Sequence, residues 1–169
     1  LHKALFDKEN INVALLNIGS EELKGNAVIK ETYQLLNDNK YSLFHFKGYI
    51  EGNNIMDGDV NVIVADGFTG NIALKTAEGT SNFIISELKS ALSSSLIGKI
   101  SSLINFKNLN SFKKKLDPRL YNGAILLGLD KPVIKSHGST DSIGFANSLK
   151  VCEKTIRGKL IDRIKQNIL

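Results

Sequence analysis

The sequence predicts an α/β fold, a parallel or mixed sheet covered by helices on both faces. Three observations carry that reading: short apolar, β-branched runs recur in the first half of the chain, helical patterns separate them, and each run leads into a glycine turn. The 169 residues, 42% of them hydrophobic, suit a single α/β domain over residues 1–169 with a core of its own.

Residues 3–12 read as the tail of a helix entering a strand, and Leu1 is not a start methionine, so the chain is expected to begin inside a longer protein. Residues 12–19, NVALLNIG, are a short apolar run ending in glycine; Ala27, Ile29, Tyr33, Leu35 and Leu36 are then spaced for a helix. Residues 44–51 read as a second strand. Residues 60–67, VNVIVADG, read as a third, almost uniformly apolar as buried parallel strands are. Between 70 and 92, Leu74, Ala77, Ile84, Ile85, Leu88 and Leu92 mark a long amphipathic helix.

The serine-rich residues that follow are interleaved with Leu96, Ile97, Ile100, Leu103 and Ile104, and Phe106, Leu109 and Phe112 extend the pattern. Residues 93–116 are therefore expected as an amphipathic helical insertion and not as a flexible linker. Gly123 and Gly128 frame AILLGL, and VIKSHG follows Lys131-Pro132, which predicts two short strands, with a hairpin across Asp130 and Lys131 as one arrangement. Residues 141–168 are expected to close the fold as one helix with Phe145, Leu149, Cys152, Ile156, Leu160 and Ile164 on its apolar face.

No apolar run reaches the roughly 18 residues of a spanning helix, and the N-terminus lacks the pattern of a signal peptide. One cysteine, Cys152, cannot form an internal disulfide, so a reducing, cytoplasmic location is expected. Charge is uneven. Residues 1–90 hold 8 Lys and Arg against 12 Asp and Glu, whereas residues 91–169 hold 14 against 5. Such a basic half attracts nucleic acid, anionic lipid, an acidic protein or a phosphorylated ligand. There is no aromatic RNA platform or helix-turn-helix pattern, so no nucleic-acid partner is expected.

Loops at the carboxyl ends of strands in open α/β sheets bind ligands, because helix N-termini offer free N–H groups and partial positive charge. Three loops have this character: GSEELKGN at 19–26, DGFTGN at 66–71 and HGSTDS at 137–142. Their small residues admit a ligand to the backbone, and their hydroxyls and amides donate hydrogen bonds, a pattern that suits an anion. Each loop alone also reads as an ordinary capped turn. No P-loop or GxGxxG spacing occurs, so no nucleotide cofactor is expected. No metal is expected either, since Asp57 and Asp59 flank Gly58 without further calcium-loop ligands, and His2 and His45 lack metal-ligand spacing.

These loops, with VIVADGFTGNIALKTAEG and GLDKPVIKSHGSTDS in the same order, resemble consecutive blocks of the PlsX family of phosphate acyltransferases. DGFTGN followed by Lys75, Glu78 and Gly79 is the most specific part. The resemblance runs from about residue 12 to the C-terminus and implies the C-terminal half of a longer enzyme. It also implies a Rossmann-like three-layer sandwich with a mixed, mostly parallel sheet, similar to isopropylmalate dehydrogenase and phosphotransacetylase. The implied reaction is attack of inorganic phosphate on the thioester of an acylated acyl carrier protein. A homodimer with peripheral membrane contact is implied as well.

On that reading Lys24, Asp66, Asn71 and His137 are the catalytic candidates, and Gly19, Ser20, Gly67, Thr69, Gly70, Gly138 and Ser139 the substrate-binding ones. Lys24 suits neutralisation of phosphate or of an oxyanion. Asp66 organises its loop, its carboxylate bonding backbone N–H groups or a lysine. Asn71 suits an oxyanion donor, with Thr69 or Asn71 as a plain helix cap the alternative. His137 suits a donor to phosphate or to the departing thiolate, or a structural role within its loop. Lys113, Lys114, Lys115 and Arg119 form a basic field suited to an acidic carrier. The alternatives are a phosphotransacetylase-like enzyme using acyl-coenzyme A and a non-catalytic anion-binding domain.

Overall fold

The computed structural model describes residues 1–6, 10–38, 43–138 and 140–168. Along the chain run α1 (His2–Phe6), β1 (Asn12–Asn17), α2 (Ala27–Asp38), β2 (His45–Glu51), β3 (Val62–Val64) and α3 (Gly67–Ser93). Then come α4 (Leu96–Ile104), α5 (Phe106–Lys115), β4 (Ala124–Ile125), β5 (Ile134–Lys135), α6 (Ser142–Arg157) and α7 (Leu160–Ile168). The chain divides into two units, Leu1–Leu74 and Lys75–Leu169.

In the first unit β1, β2 and β3 form a parallel sheet in the order β2-β1-β3. This parallel sheet with its helices bears out the α/β reading. The central strand β1 is the most buried of the three, with Ala14, Leu15 and Leu16 inside. Ala14, Leu16 and Ile50 form the core, against which Val60, Ile63 and Ala73 pack. Burying side chains of this size contributes about 1.5–3 kcal/mol for each of the larger ones. Helix α2 packs on β2 through Tyr33, whose ring lies 5.5 Å from that of Phe46 and 4.6 Å from that of Tyr49. The third strand is shorter than its sequence suggests and exposes Val64, because it lies at the sheet edge and Asp66 turns the chain into α3.

In the second unit the two expected short strands, β4 and β5, pair antiparallel, Ala124 with Lys135 and Ile125 with Ile134, which is the hairpin arrangement of the two. Helix α6 lies close to these strands because Gly144, Ser148 and Thr155 make up its buried face. At Gly123, with φ +120°, an added Cβ would come within 3.2 Å of the Ser148 Cα, so only glycine fits that approach.

Residues 141–168 were expected as one helix; they form two. Helix α6 ends at Arg157, and Lys159 takes a left-handed φ of 47° before α7 begins. The break lets Leu160, 1% exposed, fold back into the unit. The buried face of α6 also differs from the expected apolar one. Phe145, Leu149 and Ile156 are exposed, because close packing admits only the small residues.

Residues 96–104 and 106–115 are helical. Ser95 caps α4, its Oγ accepting from the Gly98 N–H at 3.0 Å. Leu96, Ile97, Leu103 and Ile104 are each at least three-quarters exposed. Among the described residues no helix is long and apolar enough to cross a membrane.

Candidate functional site

The first loop hangs from the end of β1. Asn17 is buried, and its Nδ2 donates to the carbonyl oxygens of Gly19 at 3.1 Å and Lys24 at 3.2 Å, so one side chain holds both ends of the loop. Gly25 closes it with φ +91°; a Cβ there would strike the Asn17 Oδ1. Gly19 is buried and Ser20 exposed. Asn26 caps α2, its Oδ1 accepting from the Ile29 N–H at 3.0 Å. Lys24 therefore precedes the helix and does not lie on its first turn. Its ammonium is half-exposed, with the Glu21 carboxylate 4.0 Å away, an attraction of small worth in water.

The second loop is organised by Asp66. Its Oδ1 accepts from the N–H groups of Phe68 at 2.9 Å and Thr69 at 2.8 Å, and its Oδ2 accepts from the Thr69 hydroxyl at 2.5 Å. The Thr69 hydroxyl, then these N–H groups, hold the Asp66 carboxyl below the usual carboxylate range. Asp66 is thus the cap of α3, and its exposed carboxylate is satisfied by backbone N–H groups and the Thr69 hydroxyl, with no lysine bonded to it among the described residues. That settles the capping alternative: neither Thr69 nor Asn71 is the cap. Gly67 and Thr69 are exposed on the first turn, and Gly70 sits against Ala65. Asn71 is exposed one turn in, and no hydrogen bond engages its side chain among the described residues.

The third loop belongs to the second unit and is built around Asn122. Its Oδ1 accepts from the His137 N–H at 2.9 Å. Its Nδ2 faces Ser136 Oγ and Thr140 Oγ1, both at 2.9 Å, and the Gly144 carbonyl oxygen at 3.0 Å. Ser148 Oγ donates to Ser136 Oγ at 2.9 Å, tying the loop to α6. Asp141 caps α6, its Oδ1 accepting from the Gly144 N–H at 3.0 Å. Its Oδ2 accepts from Arg119 Nη1 at 2.6 Å, while Arg119 also grips Asp117 at 2.7 Å. The Gly144 N–H and then Arg119 hold Asp141 below the usual carboxylate range, and Arg119 holds Asp117 there. With two carboxylates on its guanidinium, Arg119 adds little to the basic field; Lys113, Lys114 and Lys115 are exposed at the C-terminal end of α5.

His137 is partly exposed, and its Nε2 meets the Lys75 ammonium. Lys75 Nζ also donates to Glu78 Oε2 at 2.9 Å, and that oxygen lies 3.9 Å from His137 Nε2. Gly138 is exposed, and Ser139 lies outside the described residues. Motif reading singled out neither Asn122 nor Lys75 as a site residue. Lys75 and Glu78 sit three apart in the most specific block, so a signal was present for them. Asn122 had none, since its partners lie 14 to 22 residues away.

The fold and these loops define an α/β protein with a parallel sheet in its first unit, each candidate loop leading into a helix. The family described as fatty acid synthesis protein matches residues 1–163, and the chain belongs to it. It is similar to a phosphate acyltransferase of Pelagibacter ubique (strain HTCC1062), 67% identical over 168 residues, 99% of this chain and 50% of that protein. A phosphate acyltransferase of Maricaulis maris (strain MCS10) is 42% identical over 99% of the chain and 48% of its own length. One from Fusobacterium nucleatum is 45% identical over 95% and 48% respectively. The chain spans about half the length of these relatives.

Proposed function

We propose that these residues serve a phosphate acyltransferase, which forms acyl phosphate from an acylated acyl carrier protein and inorganic phosphate in fatty acid and phospholipid synthesis. The observation that carries this reading is the family match over residues 1–163 together with relatives named phosphate acyltransferase.

A phosphate oxygen attacks the thioester carbonyl carbon, forming a C–O bond and a tetrahedral oxyanion. The oxyanion then collapses, the C–S bond breaks, and the thiolate leaves and takes up a proton. The reaction needs an oriented phosphate and donors for the oxyanion, and no covalent enzyme intermediate. Asn71, whose amide no hydrogen bond engages among the described residues, is the oxyanion donor. Lys24 supplies positive charge to phosphate or oxyanion, and Asp66 keeps the 66–71 loop and its helix start in shape. Backbone groups of Gly19, Ser20, Gly67, Thr69, Gly70, Gly138 and Ser139 bind substrate. His137 hands its Nδ1 proton to the departing thiolate while its Nε2 takes one from the Lys75 ammonium that it contacts.

The enzyme works in the cytoplasm as a homodimer. The exposed apolar residues of α4 make peripheral membrane contact, and Lys113 to Lys115 steer the acidic carrier.

The test uses a protein of the relatives' full length containing these residues, with acyl phosphate trapped by hydroxylamine. Product is expected only when a long-chain acyl carrier protein and phosphate are both present; equal turnover of acetyl-coenzyme A and phosphate would sink the reading. Asn71→Ala is expected to lower kcat by about 100- to 1000-fold, as for loss of an oxyanion donor. Lys24→Ala is expected to lower turnover with the fold intact by circular dichroism. Wild-type rates in both variants would make these ordinary loop residues.

A further inference from the structure

We infer that Lys75 is the cation that binds a phosphate oxygen at the 137–142 loop, with His137 and Glu78 holding its ammonium in place. The inference rests on the phosphate acyltransferase reading and adds to it a residue that neither motif reading nor the relatives' names assign.

The argument begins with a count of hydrogens. A lysine ammonium has three N–H donors and no acceptor. One hydrogen of Lys75 goes to Glu78 Oε2 at 2.9 Å, and a second to His137 Nε2. The side chain of Lys75 is 49% exposed, so the third hydrogen is open to a ligand. Because an ammonium only donates, His137 Nε2 must present its lone pair, which leaves the proton of a neutral ring on Nδ1. His137 is in turn fixed by its own N–H, which donates to Asn122 Oδ1 at 2.9 Å. The ammonium is thus held between a carboxylate on its own helix and a ring whose backbone is anchored 15 residues away.

This arrangement differs from that of an ordinary surface lysine, which loses side-chain entropy whenever it meets an anion. Two of the contacts that restrict Lys75 exist before any ligand arrives, so less of that loss remains to be met on binding. Glu78 supplies the counter-charge that keeps an ammonium beside an imidazole favourable while no anion is present. A phosphate oxygen is common to free inorganic phosphate and to a phosphodiester on the acyl donor, and the inference assigns the site to inorganic phosphate.

The experiment compares wild type, Lys75→Met, Lys75→Arg and, as a charge control, Lys107→Met from the exposed face of α5, in a protein of the relatives' length. Calorimetry with inorganic phosphate, steady-state KM for each substrate, and the nitrogen-15 shifts of the His137 ring are measured. Loss of a charge-assisted contact should weaken phosphate binding and raise its KM by roughly 10- to 100-fold in Lys75→Met. The KM of the acyl donor should stay within about twofold. Lys75→Arg should recover most of the loss, Lys107→Met should resemble wild type, and the His137 ring should lose its Nδ1–H preference in Lys75→Met.

Unchanged phosphate affinity in Lys75→Met overturns the inference, as does an equal loss in Lys107→Met or no phosphate binding by wild type. A larger rise in the acyl donor's KM assigns the contact to the donor's phosphodiester and overturns it too. The two readings fail separately. Acyl phosphate formation with a normal phosphate KM in Lys75→Met refutes only the role of Lys75. Phosphate binding lost in Lys75→Met by a protein that forms no acyl phosphate refutes only the reaction.

Discussion

Asn122→Ala tests how the third loop is built. The substitution removes the acceptor for the His137 N–H and the donor facing Ser136, Thr140 and the Gly144 carbonyl. An amide NH2 has two hydrogens, so its three contacts count as two bonds, and three bonds are lost in all. At about 0.5–1.5 kcal/mol each, the cost lies between about 1.5 and 4.5 kcal/mol. Ser136 and Thr140 can turn their hydroxyls to other partners, but the His137 N–H and the Gly144 carbonyl cannot turn, so a value of about 2–3 kcal/mol is expected. The assay is urea unfolding followed by circular dichroism, with the midpoint shifted at unchanged slope. Asn122→Asp supplies the contrast. It keeps the acceptor for His137 but turns a carboxylate toward the Gly144 carbonyl, so its stability should fall relative to wild type as pH rises and the new carboxyl ionises. A loss below about 0.5 kcal/mol in Asn122→Ala, the range of an ordinary surface substitution, would refute the view that Asn122 organises the loop.

The remaining predictions concern acid and the first loop. The folded carboxyls of Asp117 and Asp141 are held low, so their stabilisation is present above the unfolded carboxylate range near about pH 4 and is lost as pH falls from there through their lower folded values. An Asp117→Asn, Asp141→Asn double variant should lose less stability between about pH 5 and 2 than wild type; parallel pH curves would count against the Arg119 bridges. Gly25→Ala combines φ +91° with a strike on the Asn17 Oδ1, and should cost about 1–3 kcal/mol in the same urea assay. A neutral result would mean that the 19–26 loop is not held as described.

Local features of this protein were readable where one stretch of sequence determines its own environment. The apolar run that becomes β1 needs no partner to be recognised, and neither does the periodicity of α3. The caps Asn26, Asp66 and Asp141 fall within the three loops because a cap bonds N–H groups only two or three residues ahead. What escaped the sequence depends on distance along the chain. The helix after residue 141 carries a continuous apolar stripe, yet close packing on β5 selects Gly144, Ser148 and Thr155 as the buried face. The break at Lys159 follows from burial of Leu160, which no local pattern announces.

The same distinction orders the candidate site. Lys24, Asp66 and Asn71 sit in loops that the sequence marks, and of these only Asp66 is held by several bonds. Among the described residues Lys24 has a loose ion pair with Glu21, and no hydrogen bond engages the Asn71 amide. His137 is the reverse case, since its backbone is bonded to Asn122 and its ring to Lys75, 62 residues away in sequence. Groups that meet a charged substrate are more effective when their orientation is set before it binds. By that criterion the 137–142 loop, with Lys75 and Glu78 beside it, is the best prepared of the three for an anion. On the proposed reading, Lys24 and Asn71 take up their working orientations when substrate arrives. Substitutions at Lys75 should therefore act chiefly on phosphate affinity, and those at Asn71 chiefly on kcat, a division that a single set of steady-state measurements can read.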